Sequence, residues 1–385
     1  DQHELADAED CVPCWRTTRD ALWDDAFRAQ WDKPVFWQLR DVDPRTDIGV
    51  PKGADDDSDD DSEDARPRVT CPPGTKKNKK RTEAFCTKGS VKHGPYEMYE
   101  EGYDMAEGVT MTGGEYRNGK KHGLWFHDEA FGDDYWGAYV DGVEHGLWIE
   151  EHGTNDPDRR FTAYVRGLAQ GYSRTDRNLG DGWVISSEGS YRDGKAHGQF
   201  RSWSLDPYFL EETGTMESGA KVGVWREYDG PNQLSKEATY IAGKLDGVVT
   251  AYEKGSKVTV GHYQNGVRHG VFEYWDGTTL LGKTTLDQGT GDWIEYKDKV
   301  LVAKGKLVKD VREGPWGMAD DDHGGWADLE LRGGKRHGSY TQWRDPDRKQ
   351  KQAVGVYAND ERHGAFEFWR EDGTLLGKGS YANGE

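Results

Sequence analysis

The sequence predicts an all-β fold: an extended single-layer β-meander, or open solenoid, of about twelve hairpin repeats, preceded by a small Trp-rich, partly helical segment. Three observations lead there. A glycine recurs at Gly94, Gly123, Gly146, Gly171, Gly198, Gly223, Gly247, Gly270, Gly291, Gly314, Gly338 and Gly364, at intervals of roughly 21–29 residues typical of repeat arrays. Aromatic residues recur at fixed offsets from it, and turn dipeptides stand before it. The composition agrees, with 34% hydrophobic residues against 51 Gly, 16 Trp and 19 Tyr. Such a chain lacks the Leu, Ile and Val for an ordinary core, so large rings must carry the burial.

Residues 1–40 form a separate unit. Trp15, Leu22, Trp23, Ala26 and Phe27 fall on one face of a short amphipathic helix, with Trp31 and Trp37 following. The segment is expected to cap one end of the sheet or to dock a partner. Cys11 and Cys14 lie in it as CVPC. Residues 41–70 read as an acidic disordered linker, because the run ADDDSDDDSED at 54–64 carries too little apolar surface to fold alone. Alternating Asp55, Asp57, Asp59 and Asp61 offer a weak Ca²⁺ site, the one cofactor in view, although the Gly turn and terminal Glu of an EF-hand loop are missing.

Residues 71–86 form a loop rich in Pro, Gly and Lys between Cys71 and Cys86. A disulfide closing it would stabilise the fold by about 3 kcal/mol, leaving Cys11 to pair with Cys14. Three pairings are formally open, and a redox dithiol or half a zinc site competes with them.

The array runs over 87–385. Seven of the marker glycines follow a histidine: His93, His122, His145, His197, His269, His337 and His363. Two residues after the glycine stand rings such as Tyr96, Trp125, Trp148, Phe200, Trp225, Phe272, Trp316 and Phe366, and five after it rings such as Tyr228, Trp275 and Trp369. Seven before it stand Tyr116, Tyr139, Tyr164, Tyr191, Tyr240, Tyr263 and Tyr357. Asn118-Gly119, Asp141-Gly142, Asp193-Gly194 and Asn265-Gly266 favour a two-residue type I′ turn, whose twist matches the strands. Counting back from that turn pairs Tyr116 with Lys121, Glu115 with His122, and Gly114 with Gly123. The same count sets Gly137, Gly189, Gly214, Gly261, Gly305 and Gly355 opposite Gly146, Gly198, Gly223, Gly270, Gly314 and Gly364. Facing glycines would make a bare floor that a ring can cover. Bulges are expected, because rings two and five after the glycine otherwise face opposite sides.

The pattern Tyr-x-Asn/Asp-Gly-x-x-His-Gly-x-Trp, with the trailing Asp276-Gly277-Thr278-Thr279-Leu280 and Asp372-Gly373-Thr374-Leu375, resembles the MORN repeat. It looks closest to bacterial members known as antitoxin-like repeat proteins. Cys71-Pro72-Pro73-Gly74-Thr75, then Cys86 and His93-Gly94-Pro95-Tyr96, is similar to the opening of exported members. The resemblance covers about three quarters of the chain and implies a curved β-meander used for scaffolding, protein contact or lipid association. Gly171, Gly247 and Gly291 lack the preceding His, the Gly291 repeat is shortened, and nothing matches residues 1–70.

A net charge of −20 argues against nucleic acid and anionic membranes as partners. A start at Asp1 and an even count of four Cys fit an exported protein, periplasmic, cell-surface or extracellular. One imidazole per repeat puts neighbours about 9.5 Å apart, too far to share a metal ion. No GxSxG elbow, P-loop or HExxH occurs, so the expectation is a non-enzymatic scaffold. Its last residues, with Ser380, Tyr381, Ala382 and Asn383, read as the first strand of a further repeat, either an end that frays or an edge that another protomer completes head-to-tail. Glycan or cell-envelope binding through rows of rings is the alternative, and antitoxin-like regulatory binding ranks third.

Overall fold

The structure is a computed structural model that describes residues 69–101, 109–128, 133–153, 158–180, 182–320, 325–382 and 384. Among them every regular element is a β-strand. The predicted N-terminal helix, the acidic linker, Cys11 and Cys14, and Asp55, Asp57, Asp59 and Asp61 lie outside the described residues.

The chain divides into two compact units, one ending at Leu205 but including Met216–Gly219, the other holding Asp206–Thr215 and Ala220–Glu385. The first contains β1 (Lys76–Lys79), β2 (Glu83–Lys88), β3 (Val91–Glu101), β4 (Val109–Arg117), β5 (Lys120–Asp128) and β6 (Asp134–Val140). It continues with β7 (Val143–His152), β8 (Asp158–Val165), β9 (Leu168–Asn178), β10 (Trp183–Arg192), β11 (Lys195–Ala196) and β12 (Gly198–Leu205).

The second begins at Asp206 and holds β13 (Tyr208–Glu217) up to Thr215, then β14 (Ala220–Gly230), β15 (Gln233–Ile241), β16 (Lys244–Glu253), β17 (Ser256–Gln264), β18 (Val267–Arg268), β19 (Gly270–Asp276) and β20 (Thr279–Leu286). Its last eight strands form one sheet: β21 (Gly291–Lys297), β22 (Val300–Val308), β23 (Val311–Asp320), β24 (Gly325–Arg332), β25 (Lys335–Trp343), β26 (Lys351–Ala358), β27 (Glu361–Trp369) and β28 (Leu375–Tyr381). The sheets are open and antiparallel, and strands pair with their neighbours in sequence.

The turns form as their dipeptides require. Asn118 and Gly119 have φ of 50° and 82°, and Asp141-Gly142, Asp193-Gly194 and Asn265-Gly266 likewise place both residues at positive φ. Tyr116 pairs with Lys121 and Glu115 with His122, as the count from the turn predicts.

Beyond those pairs the register corrects the expectation. Gly114 does not face Gly123 alone: Glu115 pairs with His122 and Gly113 with Phe126, so Gly114 stands opposite Gly123, Leu124 and Trp125 together. The cause is a bulge on the returning strand, where Gly123 takes φ of +72°. All twelve marker glycines have positive φ. The two glycines of each supposed pair therefore do different work, the marker bending its strand and the upstream glycine seating a ring.

A second bulge recurs immediately before the ring five residues after the marker, at Tyr228, Tyr252, Trp275, Tyr296, Trp343 and Trp369. The extra residue lies on the partner strand, as Ser235 does between Leu234 and Lys236, so the ring-bearing strand keeps its alternation from the second to the fifth residue after the marker.

Both faces of the first unit bury apolar side chains. On one, Phe126, Trp136, Ile149 and Phe161 are successive cross-strand partners, and Trp136, Ile149 and Phe161 form a buried cluster. Phe161 pairs next with Arg174, whose guanidinium lies 4.7 Å from the ring. The opposite face carries Trp125 and Trp148 with Tyr116 and Tyr139. In the second unit the core gathers Phe272, Tyr274, Trp293 and Trp316 with Leu286, Leu307, Leu329 and Leu331.

Candidate functional site

The repeated feature most able to position function is a ladder of rings. Trp125 covers Gly114 and Trp148 covers Gly137, each so closely that a Cβ on the glycine would overlap the indole. Trp225 over Gly214, Phe272 over Gly261, Trp316 over Gly305 and Phe366 over Gly355 repeat the arrangement. Gly189 beneath Phe200 leaves more room, 3.4 Å from a notional Cβ.

Each indole N–H is also used. Trp125, Trp148, Trp225 and Trp316 donate to the carbonyls of Glu115, Ala138, Thr215 and Lys306 at 3.0–3.2 Å, in each case the residue after the covered glycine. The tyrosines seven before the markers stand between these rings. Tyr116 meets Trp125 edge-on at 5.1 Å, Trp125 meets Tyr139 at 6.2 Å, and Tyr139 meets Trp148 at 5.0 Å. Tyr139 pairs with Gly123, and Tyr116 with Gly94, so the marker of one hairpin makes space for the tyrosine of the next.

Cations cover the ladder, a regularity the sequence reading missed. Two residues before the marker stand Lys92, Lys121, Lys221, Arg268, Arg312, Arg336 and Arg362. Lys92 lies 4.3 Å from the Tyr96 centroid, Lys121 4.4 Å from Trp125, Lys221 4.0 Å from Trp225, and Arg312 4.9 Å from Trp316. Arg268, Arg336 and Arg362 lie over Trp293, Tyr357 and Phe366. Carboxylates hold several of them: Glu83 on Lys92, Glu212 on Lys221, and Glu295 on Arg312. Burial works against the Glu83 carboxylate, but hydrogen bonds from Lys80 and Lys92 outweigh it and keep its pKa below the usual range. Recurrence of Lys or Arg at this one offset was the available signal.

The histidines have a role other than pairing across their own hairpin. His93 Nδ1 accepts the backbone N–H of Asn118, and His269 Nδ1 that of Gln288, each the first residue of the next hairpin's turn. At four of the five markers without a histidine another acceptor replaces it, Gln170 for Asp193, Asp246 for Asn265, Thr290 for Lys309 and Glu313 for Gly333, while Gly223 is preceded by Val222. The second turn residue is held as well, with Gly119, Gly142, Gly167 and Gly266 donating to the carbonyls of Lys92, Lys121, Glu144 and Leu245. His145 is 4% exposed, and burial, with Arg166 nearby, pushes its pKa below the usual imidazole value.

An open cleft of about 490 Å³ lies on the ring face of the first unit, lined by residues that include Tyr135, Tyr139, Trp148, Asp133, Glu150 and His152. Tyr135 is stacked between His127 at 5.0 Å and Trp148 at 5.9 Å. His152 reaches Asp133 at 3.1 Å. Burial, then Tyr135 and Glu144, raises the Tyr139 phenol to about 12. No group of three or more metal-ligating side chains occurs among the described residues.

Cys71 and Cys86 are joined in a disulfide with Cα atoms 5.5 Å apart, and Cys86 packs with Val69 and Ala84 in a small buried cluster. Of the expected assembly edge, Ser380 and Tyr381 pair inward with Ala365 and Gly364, and Tyr381 lies edge-on to Phe366 at 5.2 Å. Ala382 follows, exposed, and Asn383 lies outside the described residues. A scan against protein families finds no match to this chain, and a search of curated proteins finds none either.

Proposed function

We propose that this chain is a non-enzymatic, exported interaction scaffold of MORN-like hairpins that makes protein contacts, copies of itself included, through open sheet surface. The observation that carries this reading is a row on the face opposite the rings in the second unit. Val224, Val248 and Val271, each one residue after a marker, are 43%, 42% and 37% exposed. Their cross-strand partners are Thr239, His262 and Thr285. An exposed β-branched row of this kind suits a second protein surface. The Cys71–Cys86 disulfide fits an oxidising, exported location.

The ring rows favour the alternative, glycan binding, less well. Trp125, Trp148, Trp225 and Trp316 are between 1% and 5% exposed, so little indole surface is left for a sugar face.

Sedimentation velocity and electron microscopy across a concentration series test the proposal. Wild-type protein is expected to associate, and the double variant Val248→Glu, Val271→Glu to remain dispersed with an unchanged melting temperature. Dispersed wild-type monomers at every concentration would sink the self-association reading.

A further inference from the structure

The ring ladder is broken along one stretch of the first unit. Two residues after Gly171 the ring is replaced by Ser173, whose hydroxyl bonds that of Thr162 at 3.1 Å, where the hairpin before it sets Trp148 on Gly137. The cation two residues before the marker is missing twice in succession, at Ala169 and Ala196. Met216 takes the tyrosine position seven residues before Gly223. The Gly247 hairpin also lacks its ring, but there Val249 pairs with Ala238, which is 1% exposed, and the filling is apolar.

A cleft of about 270 Å³ lies at the polar break. Its lining includes the cross-strand partners Ser173 and Gly189, and beside them the pair Thr175 and Ser187. Phe200 leaves Gly189 partly bare: its nearest ring atom is 3.4 Å from a notional Cβ, against 2.2 Å for Trp148 over Gly137. Tyr191 forms a wall. The other tyrosines seven before a marker each meet a ring. Tyr191 is half-buried and has neither ring nor cation against it among the described residues. Arg160 stands exposed at the rim, a cation within reach of an entering ring.

A bare glycine, an uncovered tyrosine face and hydroxyls along one side suit a ring with a polar edge. A phenyl group would take water from the Thr175 and Ser187 hydroxyls and return nothing, whereas an indole N–H finds an acceptor there. The volume falls just below the ~300–1,000 Å³ of pockets that hold whole ligands, and fits one side chain anchored elsewhere.

The chain carries such side chains itself. Trp15, Trp23, Trp31 and Trp37 stand outside the described residues, joined to Val69 through residues 38–68. Val69 packs with Cys86 on β2, and the strand spacings from β2 to β10 put the cleft about 38 Å away along the sheet. A flexible chain of about 30 residues spans ~30 Å on average and ~100 Å when extended, and charge extends it further than average. Tethering also holds the indoles at millimolar local concentration, enough for a single-ring contact to form.

We propose that one of Trp15, Trp23, Trp31 and Trp37 docks in this cleft and completes the ladder within the same chain. The reading does not rest on the valine row, and either can fail without the other.

Fluorine NMR on the full chain labelled with 5-fluorotryptophan tests it, with Trp15→Phe, Trp23→Phe, Trp31→Phe and Trp37→Phe assigning the resonances. A soluble paramagnetic agent is expected to relax one of the four about tenfold more slowly than the others, as a ring docked about nine-tenths of the time requires. Gly189→Val, a substitution the backbone there accepts, fills the floor, and Tyr191→Ala removes the wall. Each is expected to abolish the protection, and Gly189→Val to melt as wild type does. Four equally exposed resonances in wild type, or protection that survives both cleft variants, would overturn the proposal. Protection lost on dilution would overturn it too, by assigning the docked ring to a second copy.

Discussion

At the scale of single residues, glycine does two jobs that composition alone cannot separate. Gly137 has no room for a side chain, because the Trp148 indole occupies the space of a Cβ, whereas Gly223 meets nothing within 4 Å and is required by its φ of +65°. Gly137→Ala should therefore cost 1–3 kcal/mol by overpacking, and Gly223→Ala about 1–2 kcal/mol by backbone strain. Thermal melting separates them when Trp148→Ala is added: it should relieve the Gly137→Ala clash, leaving the two changes less than additive. Full additivity would show that the indole is not the obstacle. The marker spacing was legible because both jobs recur with the hairpin. Their division was not, since it depends on a bulge that leaves the same letters in the sequence.

Histidine gives a second residue-scale test. Burial lowers the His145 pKa in the fold, so the unfolded chain takes up a proton first as pH falls. Its contribution is fully present above the unfolded value of about 6.5 and is lost as pH drops through the depressed folded value. His145→Gln retains an acceptor of the kind Gln170 provides to Asp193. Melting temperatures between pH 7.5 and 5 should fall more steeply for wild type than for this variant. Equal slopes would show that His145 does not set the acid sensitivity.

At the scale of the hairpin, the turn is where sequence and structure agree and where they diverge. Asn-Gly and Asp-Gly announced four turns, yet Arg166-Gly167, Ser218-Gly219 and Ala242-Gly243 adopt the same pair of positive φ angles. Those three went unread because their first residues carry no local preference for that conformation. The neighbouring hairpin supplies it instead: Gly243 donates to the carbonyl of Lys221, as Gly119 does to that of Lys92. Ala242, at φ of 47°, is held against its own preference. Ala242→Gly should accordingly raise stability by about 0.5–1 kcal/mol, less the entropy glycine costs in the unfolded chain. An unchanged or lower melting temperature would mean that the docked turn already removes the strain. The same docking explains the missing histidines, since Gln170, Asp246 and Thr290 each offer the turn an acceptor.

At the scale of the whole molecule, periodicity and charge carry different information. The markers Gly198 and Gly223 keep their spacing across the division between the two compact units. A repeat count therefore reads one array where packing makes two bodies. Net charge is legible from the sequence alone, and at −20 it acts between copies as well as within one. If the exposed valine row brings copies together, their attraction must exceed a repulsion that salt screens over about 10 Å at 0.1 M. Association should then be weakest near 0.01 M salt and rise by 0.3 M, where the screening length is several times shorter. Val248→Glu with Val271→Glu both removes the apolar contact and adds charge. A third variant, Val248→Ala with Val271→Ala, separates the two effects. Loss of association in the alanine variant at high salt assigns the attraction to the row. Retained association there would place the contact elsewhere on the sheet, and association that falls with added salt would point to opposite charges as its source.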